Sequence, residues 1–408
     1  MFHRPLSGSL VLLALTVSPL RGQVAYEAPP TFPASALAPA GMLKGDDFTI
    51  AEPVHTDGLL ALFHLQTAFG EFDCRGVEML TMRIHELHAL EEIAAMSRTE
   101  LFTNAAKAGL MKPVDSAIKI VRDPVGSVKS VPAGVGRLFG SITKGAEAVG
   151  RTVSKKSGEI ASGERDPDAG KPDARQDPFG FNKARNQWAA KFNVDPYTSN
   201  EELARKLSDL AKMSFSTQTI ATLGVGQIAA PLAMVGTVDT LVLTKSPAEV
   251  REINAGRLAK LGVTQRTRGE LLGNRWFTPT LQTRFVKALQ ALGAAKNLSN
   301  VVALTGNVRS EDEARFLCRG VELLGRYQAQ IAPFGELRAF GRIPGGVTAD
   351  GTLVISAPVE VIAWTELVAS FAGRLTGKDL KPVICTPALI TKPAAAQLAA
   401  LGWQVQKL

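Results

Sequence analysis

A polar segment in the first half of the sequence limits how the chain can fold. Ser157–Pro178 contains a single large apolar side chain, Ile160, among many charged and small residues. A segment of this composition cannot bury enough apolar surface to offset the entropy that it loses on ordering. We therefore predict a flexible linker at 157–178, with folded regions on both sides of it.

The length and composition of the whole chain are those of an ordinary globular protein. It has 408 residues, of which 45% are hydrophobic and 21% are charged. These values exclude a collagen-like chain, a wholly disordered chain and a polytopic membrane protein. The three cysteines are too few for a disulfide-rich scaffold. A chain of this length is expected to form two or three domains.

The N-terminus has the layout of an export signal. Met1–Arg4 is short and basic, and Leu10–Val17 is an apolar run that is too short to cross a bilayer. Helix-breaking residues follow, which is typical of a cleaved signal peptide. We predict a signal peptide at 1–22, an extended leader rich in Pro and Ala at 23–45, and a location in the periplasm or cell envelope. A cytosolic N-terminal helix is the alternative, because the cleavage site is imperfect.

Region 46–131 is predicted to be a β-hairpin followed by a helix. Asp57-Gly58 is a hairpin-type turn between two apolar runs. From Val77 onward, apolar residues recur at a spacing of three and four residues. This spacing indicates one face of a helix that extends to about Met96.

Region 179–335 is predicted to be a helical domain, because it contains strong signals for helix N-termini. Ser246–Glu249 has the spacing of a capping box with proline at the first helical position, and Thr278-Pro279 begins a further helix. Met213–Val238 contains no charged residue and is long enough to cross a bilayer, but a proline and several glycines interrupt it. We favour a buried pair of core helices over a membrane span.

Region 336–408 is predicted to contain short strands as well as helices, unlike the helical region before it. Asp350-Gly351 lies between two short apolar runs and predicts a hairpin. Val361–Phe371 has a helical pattern, and Pro382–Leu389 is typical of a buried strand. Strands that alternate with short helices indicate a small α/β layer with at least one parallel strand pair. Together the elements predict an α+β fold that is mostly helical, with an N-terminal β-hairpin/helix unit and a small C-terminal α/β layer.

Most of the net charge is confined to one region. Residues 107–156 contain ten Lys and Arg residues and three acidic residues, which gives +7 of the chain's net charge of +8. Within 132–156, apolar residues recur at helical spacing and basic residues flank them. Five glycines weaken such a helix in water, so it needs a surface on which to fold.

A basic amphipathic helix at 132–156 is suited to an anionic membrane surface, with its apolar face in the acyl boundary. The predicted contact residues are Arg137, Phe139, Lys144, Arg151 and Lys155. Packing on the protein's own core and contact with a partner protein are the alternatives. Nucleic acid is not expected as a partner, because export removes the usual target and the segment contains one aromatic residue.

The histidines cluster in the N-terminal unit and suggest a metal site. His85 and His88 are three residues apart on the predicted helix, and Glu92 lies one turn beyond His88. Two imidazoles and a carboxylate on one helix face can bind zinc, and His64 on the preceding strand can supply a fourth ligand. The alternative interpretation treats these side chains as polar residues that flank the apolar face.

Two further patterns leave alternatives open. Cys74 and Cys318 can form a disulfide in an exported chain, which would leave Cys385 unpaired in an apolar strand.

Phe72–Leu80 and Phe316–Leu324 match at seven of nine positions, but nothing that flanks them aligns. One short match is not a repeat period, so we favour chance similarity over a duplicated unit.

The motifs of common enzymes are missing from the sequence. It contains no serine nucleophile elbow, phosphate-binding loop or dinucleotide fingerprint. If the C-terminal layer binds a ligand, the expected place is the strand-end loops Ser356–Pro358 and Thr386–Pro387. We expect a non-enzymatic cell-envelope protein that contacts a membrane surface or a partner protein through its basic helix. A metal-dependent hydrolase that uses His85, His88 and Glu92 is the alternative.

Overall fold

The computed structural model describes residues 25–97, 135–139, 180–217, 238–375 and 382–408. Of the described residues, 52% are helical and 19% lie in strands. These proportions confirm the predicted α+β fold, in which helix predominates. The predicted signal peptide (1–22), the basic helix beyond Phe139 and the predicted linker (157–178) lie outside the described residues.

The helices and strands are numbered in chain order. The helices are α1 Ala34–Leu37, α2 Val77–Ser97, α3 Gly136–Phe139, α4 Phe181–Lys191, α5 Glu201–Thr217, α6 Thr240–Thr244, α7 Pro247–Lys260, α8 Gln265–Leu272, α9 Pro279–Ala291, α10 Leu298–Val302, α11 Glu311–Gln330, α12 Glu366–Arg374 and α13 Lys392–Ala400. Short 3-10 helices lie at Ala40–Met42 and Ala303–Asn307. The strands are β1 Thr31–Phe32, β2 Phe48–Ile50, β3 Val54–Thr56, β4 Ala61–Thr67, β5 Gly70–Arg75, β6 Phe334–Phe340, β7 Ile343–Thr348, β8 Leu353–Ser356, β9 Val361–Ile362, β10 Pro382–Thr386, β11 Leu389–Ile390 and β12 Gln404–Lys407.

The N-terminal sheet is antiparallel, with the order β1-β3-β4-β2 and with β5 paired to β4. The predicted turn at Asp57-Gly58 joins β3 to β4. The Asp57 carboxylate accepts hydrogen bonds from the backbone N–H groups of Leu59 and Leu60 (2.9 and 2.7 Å). Gly58 has a φ of 89°, which glycine adopts at little cost. Inward-facing side chains of β4, such as Phe63, are buried against α2.

Helix α2 confirms the helix predicted from Val77 to about Met96. Gly76, with a φ of 82°, makes the turn from β5 into the helix. The N-terminal half of α2 packs on the sheet through Leu80 and its neighbours. The C-terminal half packs through Ile93 on α4 and α5. Helix α2 therefore joins the N-terminal sheet to the helical region.

The C-terminal sheet has the strand order β12-β10-β8-β7-β6. Strands β6, β7 and β8 are antiparallel, whereas β8, β10 and β12 are parallel. This arrangement confirms a layer with at least one parallel pair. The predicted hairpin turn at Asp350-Gly351 joins β7 to β8, with Gly351 at a φ of 83°. Strand β10 lies within the strand predicted at Pro382–Leu389.

The prediction of one helix over Val361–Phe371 is wrong. Val361–Ile362 forms β9, which pairs in parallel with β11. Helix α12 begins only at Glu366, and Thr365 caps it by accepting a hydrogen bond from the N–H group of Val368 (3.4 Å). The apolar run therefore contains a buried strand and part of a helix, which periodicity cannot separate over so short a distance.

Helix α11 packs on α9 and on the C-terminal sheet. Gly320 allows the close approach to the sheet, because a Cβ atom at this position would lie 2.8 Å from Cγ of Pro344. The predicted domain boundary at 335/336 falls inside β6. Side chains from both sides of that boundary share one hydrophobic core, whose members extend from Leu59 to Trp403 in sequence.

The N-terminal unit is hydrogen-bonded to the C-terminal layer. The carbonyl of Leu59 accepts hydrogen bonds from the N–H groups of Glu360 (3.1 Å) and Val361 (2.9 Å). The buried Glu360 carboxylate accepts from the N–H group of Val77 (3.2 Å) and lies 3.4 Å from Arg319. A carboxylate at this position caps the N-terminus of α2, where negative charge is stabilising.

The two copies of the internal sequence match have different structures. Phe72–Leu80 covers the end of β5 and the start of α2, whereas Phe316–Leu324 lies wholly inside α11. Gly76 has a positive φ in the first copy, and Gly320 faces the sheet from within a helix in the second. These differences support chance similarity over a duplicated unit.

Candidate functional site

The structure separates the side chains that the sequence suggests as metal ligands. His85 is half-buried and lines a small cavity. His88 is exposed, with its Nδ1 3.7 Å from a carboxylate oxygen of Glu91, and Glu92 is exposed as well. Burial lowers the pKa of His85, and the nearby His88 lowers it further. His85, His88 and Glu92 therefore do not converge on one point.

His64, the suggested fourth ligand, lies on β4 beside β5. Its ring nitrogens lie 2.8 Å from Asp73 and 3.5 Å from Glu71, and cross-strand pairs of this kind stabilise a sheet. In the part of the chain that the structure describes, no group of three or more His, Cys, Asp or Glu side chains is arranged to hold a metal ion. The zinc site predicted on α2 is therefore not formed by these residues.

The first turn of α2 contributes instead to a buried ionic cluster. The Glu78 carboxylate accepts hydrogen bonds from Arg284 of α9 (2.5 Å) and Arg315 of α11 (2.9 Å). The Nε of Arg319 lies 3.7 Å away. Burial alone raises the pKa of Glu78, but the three guanidinium groups outweigh it and lower this pKa to about 2. Glu78 is therefore ionised at neutral pH and ties α2 to α9 and α11.

Two arginines of this cluster also bind a second carboxylate each. Arg284 donates to both carboxylate oxygens of Glu322 (2.6 and 2.8 Å). Arg315 donates through two nitrogens to one oxygen of Glu311 (2.8 and 2.6 Å). Contacts through two nitrogens fix the orientation of the guanidinium plane. Each arginine of the cluster therefore has carboxylate partners within the protein, which is the arrangement of a structural network between helices.

A small cavity adjoins the ionic cluster, between α2, α9 and the loop before α5. It is lined by His85, Asp195 and Thr280 and has a volume of about 20 Å³. A single water needs about 10–15 Å³ of such space, so the cavity suits a water molecule rather than an organic substrate. Asp195 accepts hydrogen bonds from the hydroxyl of Thr280 (2.7 Å) and the N–H group of Tyr197 (2.9 Å). Burial raises the pKa of Asp195.

The polar side chains in the strand-end loops of the C-terminal layer are hydrogen-bonded within the protein. The hydroxyl of Ser356 donates to the carbonyl of Pro344 (2.9 Å), and the hydroxyl of Thr386 donates to the carbonyl of Ala357 (2.6 Å). Both hydroxyl-bearing side chains are fully buried. These polar groups, which the sequence suggests for ligand binding, bond to the protein's own backbone.

The three cysteines are free and buried, so the suggested Cys74–Cys318 disulfide is not formed. The Sγ of Cys318 donates weakly to the carbonyl of Leu281 (3.5 Å). Burial raises the pKa of Cys74 and of Cys385 to about 12, and it raises the pKa of Cys318 further. The thiolate is the reactive form, so these protonated thiols are poor nucleophiles at neutral pH.

Helix α3 is the described part of the predicted basic helix, and it packs into the core. Phe139 is 5% exposed and meets Phe316 and Phe371 edge to face, with ring centroids 5.8 and 5.2 Å away. Arg137 forms a two-point ion pair with the buried Glu313 (2.8 and 2.5 Å). These contacts correct the prediction for Arg137 and Phe139, whose side chains pack on the protein's own core rather than lying free for a membrane.

The remaining predicted contact residues, Lys144, Arg151 and Lys155, lie outside the described residues, as does most of Met213–Val238. Among the helices of the described ranges, none has the length and apolar character needed to cross a bilayer. No protein-family model, curated protein or solved structure matches this chain.

Proposed function

We propose that the protein is an exported cell-envelope protein with a non-enzymatic role, which contacts an anionic membrane surface through the basic segment beyond Phe139. The side chains proposed for this contact are Lys144, Arg151 and Lys155. An acidic partner protein is the other occupant that the same charges would suit.

The distribution of charge is the observation that carries this proposal. Residues 107–156 account for +7 of the net +8, so the rest of the chain is close to neutral. Each basic residue near an anionic leaflet contributes on the order of 1 kcal/mol to binding. A local excess of this size favours contact with an anionic surface over a general role in solubility.

The packing of α3 anchors the point from which the proposed contact segment, residues 140–156, begins. Leu138 and Phe139 are buried in the core, and Arg137 is paired with Glu313. Residues 140–156 therefore start from a point that is firmly attached to the folded part of the chain. Because the apolar side chains of α3 are already buried, the proposed contact depends on charge rather than on insertion of Phe139.

Co-sedimentation with vesicles of phosphatidylglycerol and phosphatidylcholine tests this proposal. Two variants carry the same change in charge: K144Q/R151Q/K155Q in the basic segment, and K44Q/K260Q/K392Q at exposed positions elsewhere. We expect the first variant to lose about 3 kcal/mol of vesicle affinity, at roughly 1 kcal/mol per charge, and the second to bind like the wild type. Equal binding by both variants, or no binding by the wild type at low salt, contradicts the proposal.

Export is tested separately by mass spectrometry of protein recovered from its native host. We expect no intact Met1–Arg21 segment in the main species, because a secretory signal peptide is removed. Recovery of the full-length N-terminus as the main species contradicts export. Bound zinc near one equivalent in the purified protein would favour the metal-dependent hydrolase instead.

A further inference from the structure

One short loop, Thr305–Val308, holds three polar side chains through its backbone. Its four carbonyls accept hydrogen bonds of 2.7–3.2 Å from the side chains of Arg137, Asn274 and Arg309. Arg137 lies on α3, Asn274 follows α8, and Arg309 directly precedes the cap of α11. Three segments that are distant in sequence or belong to different elements therefore meet around four consecutive residues.

Trp276 lies beside this loop and is partly exposed. Its backbone N–H group donates to Oδ1 of Asn274 (3.0 Å), and the guanidinium of Arg275 lies over its ring, 4.6 Å from the ring centroid. The other three tryptophans of the chain are only 1–5% exposed, whereas Trp276 is half-buried against the core. One part of the Trp276 ring therefore packs on the core, and the rest reaches the surface together with Arg275.

Two exposed arginines around this loop have no acidic partner. They are Arg275 and Arg309, neither of which forms an ion pair with any residue that the structure describes. The acidic side chains nearby are already paired with other arginines, Glu313 with Arg137 and Glu270 with Arg266. We call Arg275, Trp276 and Arg309 together the Trp276 face. This face has an excess of two positive charges, although the chain outside residues 107–156 is close to neutral.

The Trp276 face lies close to the point where the basic segment begins. Arg137 is bonded to the same loop as Arg309, and the basic segment at 140–156 begins three residues after Arg137. A helix rises about 1.5 Å per residue, so the segment begins within about one helical turn of Arg137. A bilayer that binds the segment near its start is therefore brought close to the Trp276 face.

We infer that the Trp276 face contacts the anionic bilayer when the basic segment binds to it. Guanidinium groups bind phosphate oxygens in two-point geometry, which suits Arg275 and Arg309 to lipid headgroups. Tryptophan rings are enriched at the level of the headgroups, because most of the ring is apolar and its N–H group is polar. This inference rests on the proposed membrane contact, and it adds one fixed orientation of the folded chain on the bilayer.

Quenching of tryptophan fluorescence by brominated lipids tests this inference directly. The vesicles consist of phosphatidylglycerol and phosphatidylcholine, with bromine on the acyl chains close to the headgroups. They are mixed at low salt with the wild type and with W276F, and unbrominated vesicles of the same composition give the reference emission. We expect quenching in the wild type and none in W276F, because the other three tryptophans are buried.

Two variants with the same loss of charge test the arginines of the face. R275Q/R309Q removes its two cations, and R326Q/R338Q removes two exposed arginines elsewhere. We expect the Kd for anionic vesicles to rise about 30-fold in R275Q/R309Q, as for the loss of two basic residues near an anionic leaflet. The Kd should stay unchanged in R326Q/R338Q. Both variants should remain folded in thermal melts, since exposed charges contribute little to stability.

The orientation and the membrane contact itself can fail separately. If vesicles bind the wild type without quenching Trp276, or if both double variants bind with equal affinity, the inference is overturned, and an acidic partner protein becomes the occupant that the two arginines suit. If vesicles do not bind the wild type at all, the proposed function is overturned as well. The variant K144Q/R151Q/K155Q keeps the Trp276 face, so brominated vesicles should still quench its fluorescence once enough lipid is present to bind it.

Discussion

Replacement of Phe139 with alanine tests whether α3 is an integral part of the core. The Phe139 ring is 5% exposed and contacts two aromatic rings, one on α11 and one on α12. Truncation of a buried phenylalanine costs about 3–5 kcal/mol. Edge-to-face pairs contribute about 0.5–1.5 kcal/mol beyond burial, so we expect a loss in the upper part of that range for Phe139→Ala.

Urea unfolding of the full chain, followed by circular dichroism, measures this loss. Folded proteins typically have about 5–15 kcal/mol of stability, so the variant should retain a native baseline at low urea. Phe181→Ala is the matched control, because Phe181 is half-buried at the start of α4 and lies outside the hydrophobic clusters. We expect a cost of about 1–2 kcal/mol for this control, from partial loss of burial.

The vesicle affinity of Phe139→Ala separates a core role from a membrane role. Under conditions where the variant is folded, it should bind anionic vesicles like the wild type, because its side chain is not available to the lipid. Two results together would refute the core assignment: a loss of stability below about 1 kcal/mol, and weaker binding to vesicles. A loss that small is typical of surface changes or small core changes.

Three further predictions concern buried groups. E78Q should destabilise the protein most above about pH 5. The difference in stability between E78Q and the wild type should shrink as the pH falls from 4.5 towards 2, because only the ionised Glu78 attracts its arginine partners. Urea unfolding across this pH range measures that difference, and a constant difference would argue against the cluster. E360A should cost about 1–3 kcal/mol in urea unfolding, because it leaves the backbone N–H groups of Val77 and Ala61 without their acceptor. E366A at an exposed position of α12 should change stability by less than about 0.5 kcal/mol. Similar costs would contradict the capping role of Glu360. Cys74 and Cys318 should react with a thiol reagent only after denaturation, and a reducing agent should leave the Tm unchanged; rapid labelling of the native protein would contradict their burial.

The elements with local signals were predictable from the sequence. The turns at Asp57-Gly58 and Asp350-Gly351 depend on residue types within a few positions, and both join neighbouring antiparallel strands. The capping box that begins at Ser246 forms with both of its hydrogen bonds. In each case the interactions that fix the conformation lie within the segment itself, so no knowledge of the fold is needed.

The ionic cluster and the role of α3 could not be predicted in the same way. Glu78 is separated from Arg284 by 206 positions and from Arg315 by 237, and no local pattern specifies contacts over such distances. The spacing of Glu311 and Arg315 was visible, but it is equally typical of an exposed helical pair. The apolar positions around Phe139 have the same period whether they face a core or a membrane, because both surfaces bury one face of a helix.

The salt dependence of binding to anionic vesicles tests the central claim most directly. The wild-type chain is sedimented with phosphatidylglycerol vesicles and with purely zwitterionic vesicles over a series of salt concentrations. The Debye length falls from about 10 Å at 0.1 M to about 3 Å at 1 M salt, so contact through the basic segment should be strong at low salt, largely lost at high salt and absent with zwitterionic vesicles. No binding to anionic vesicles at low salt, or binding that high salt leaves unchanged, would contradict an electrostatic membrane contact.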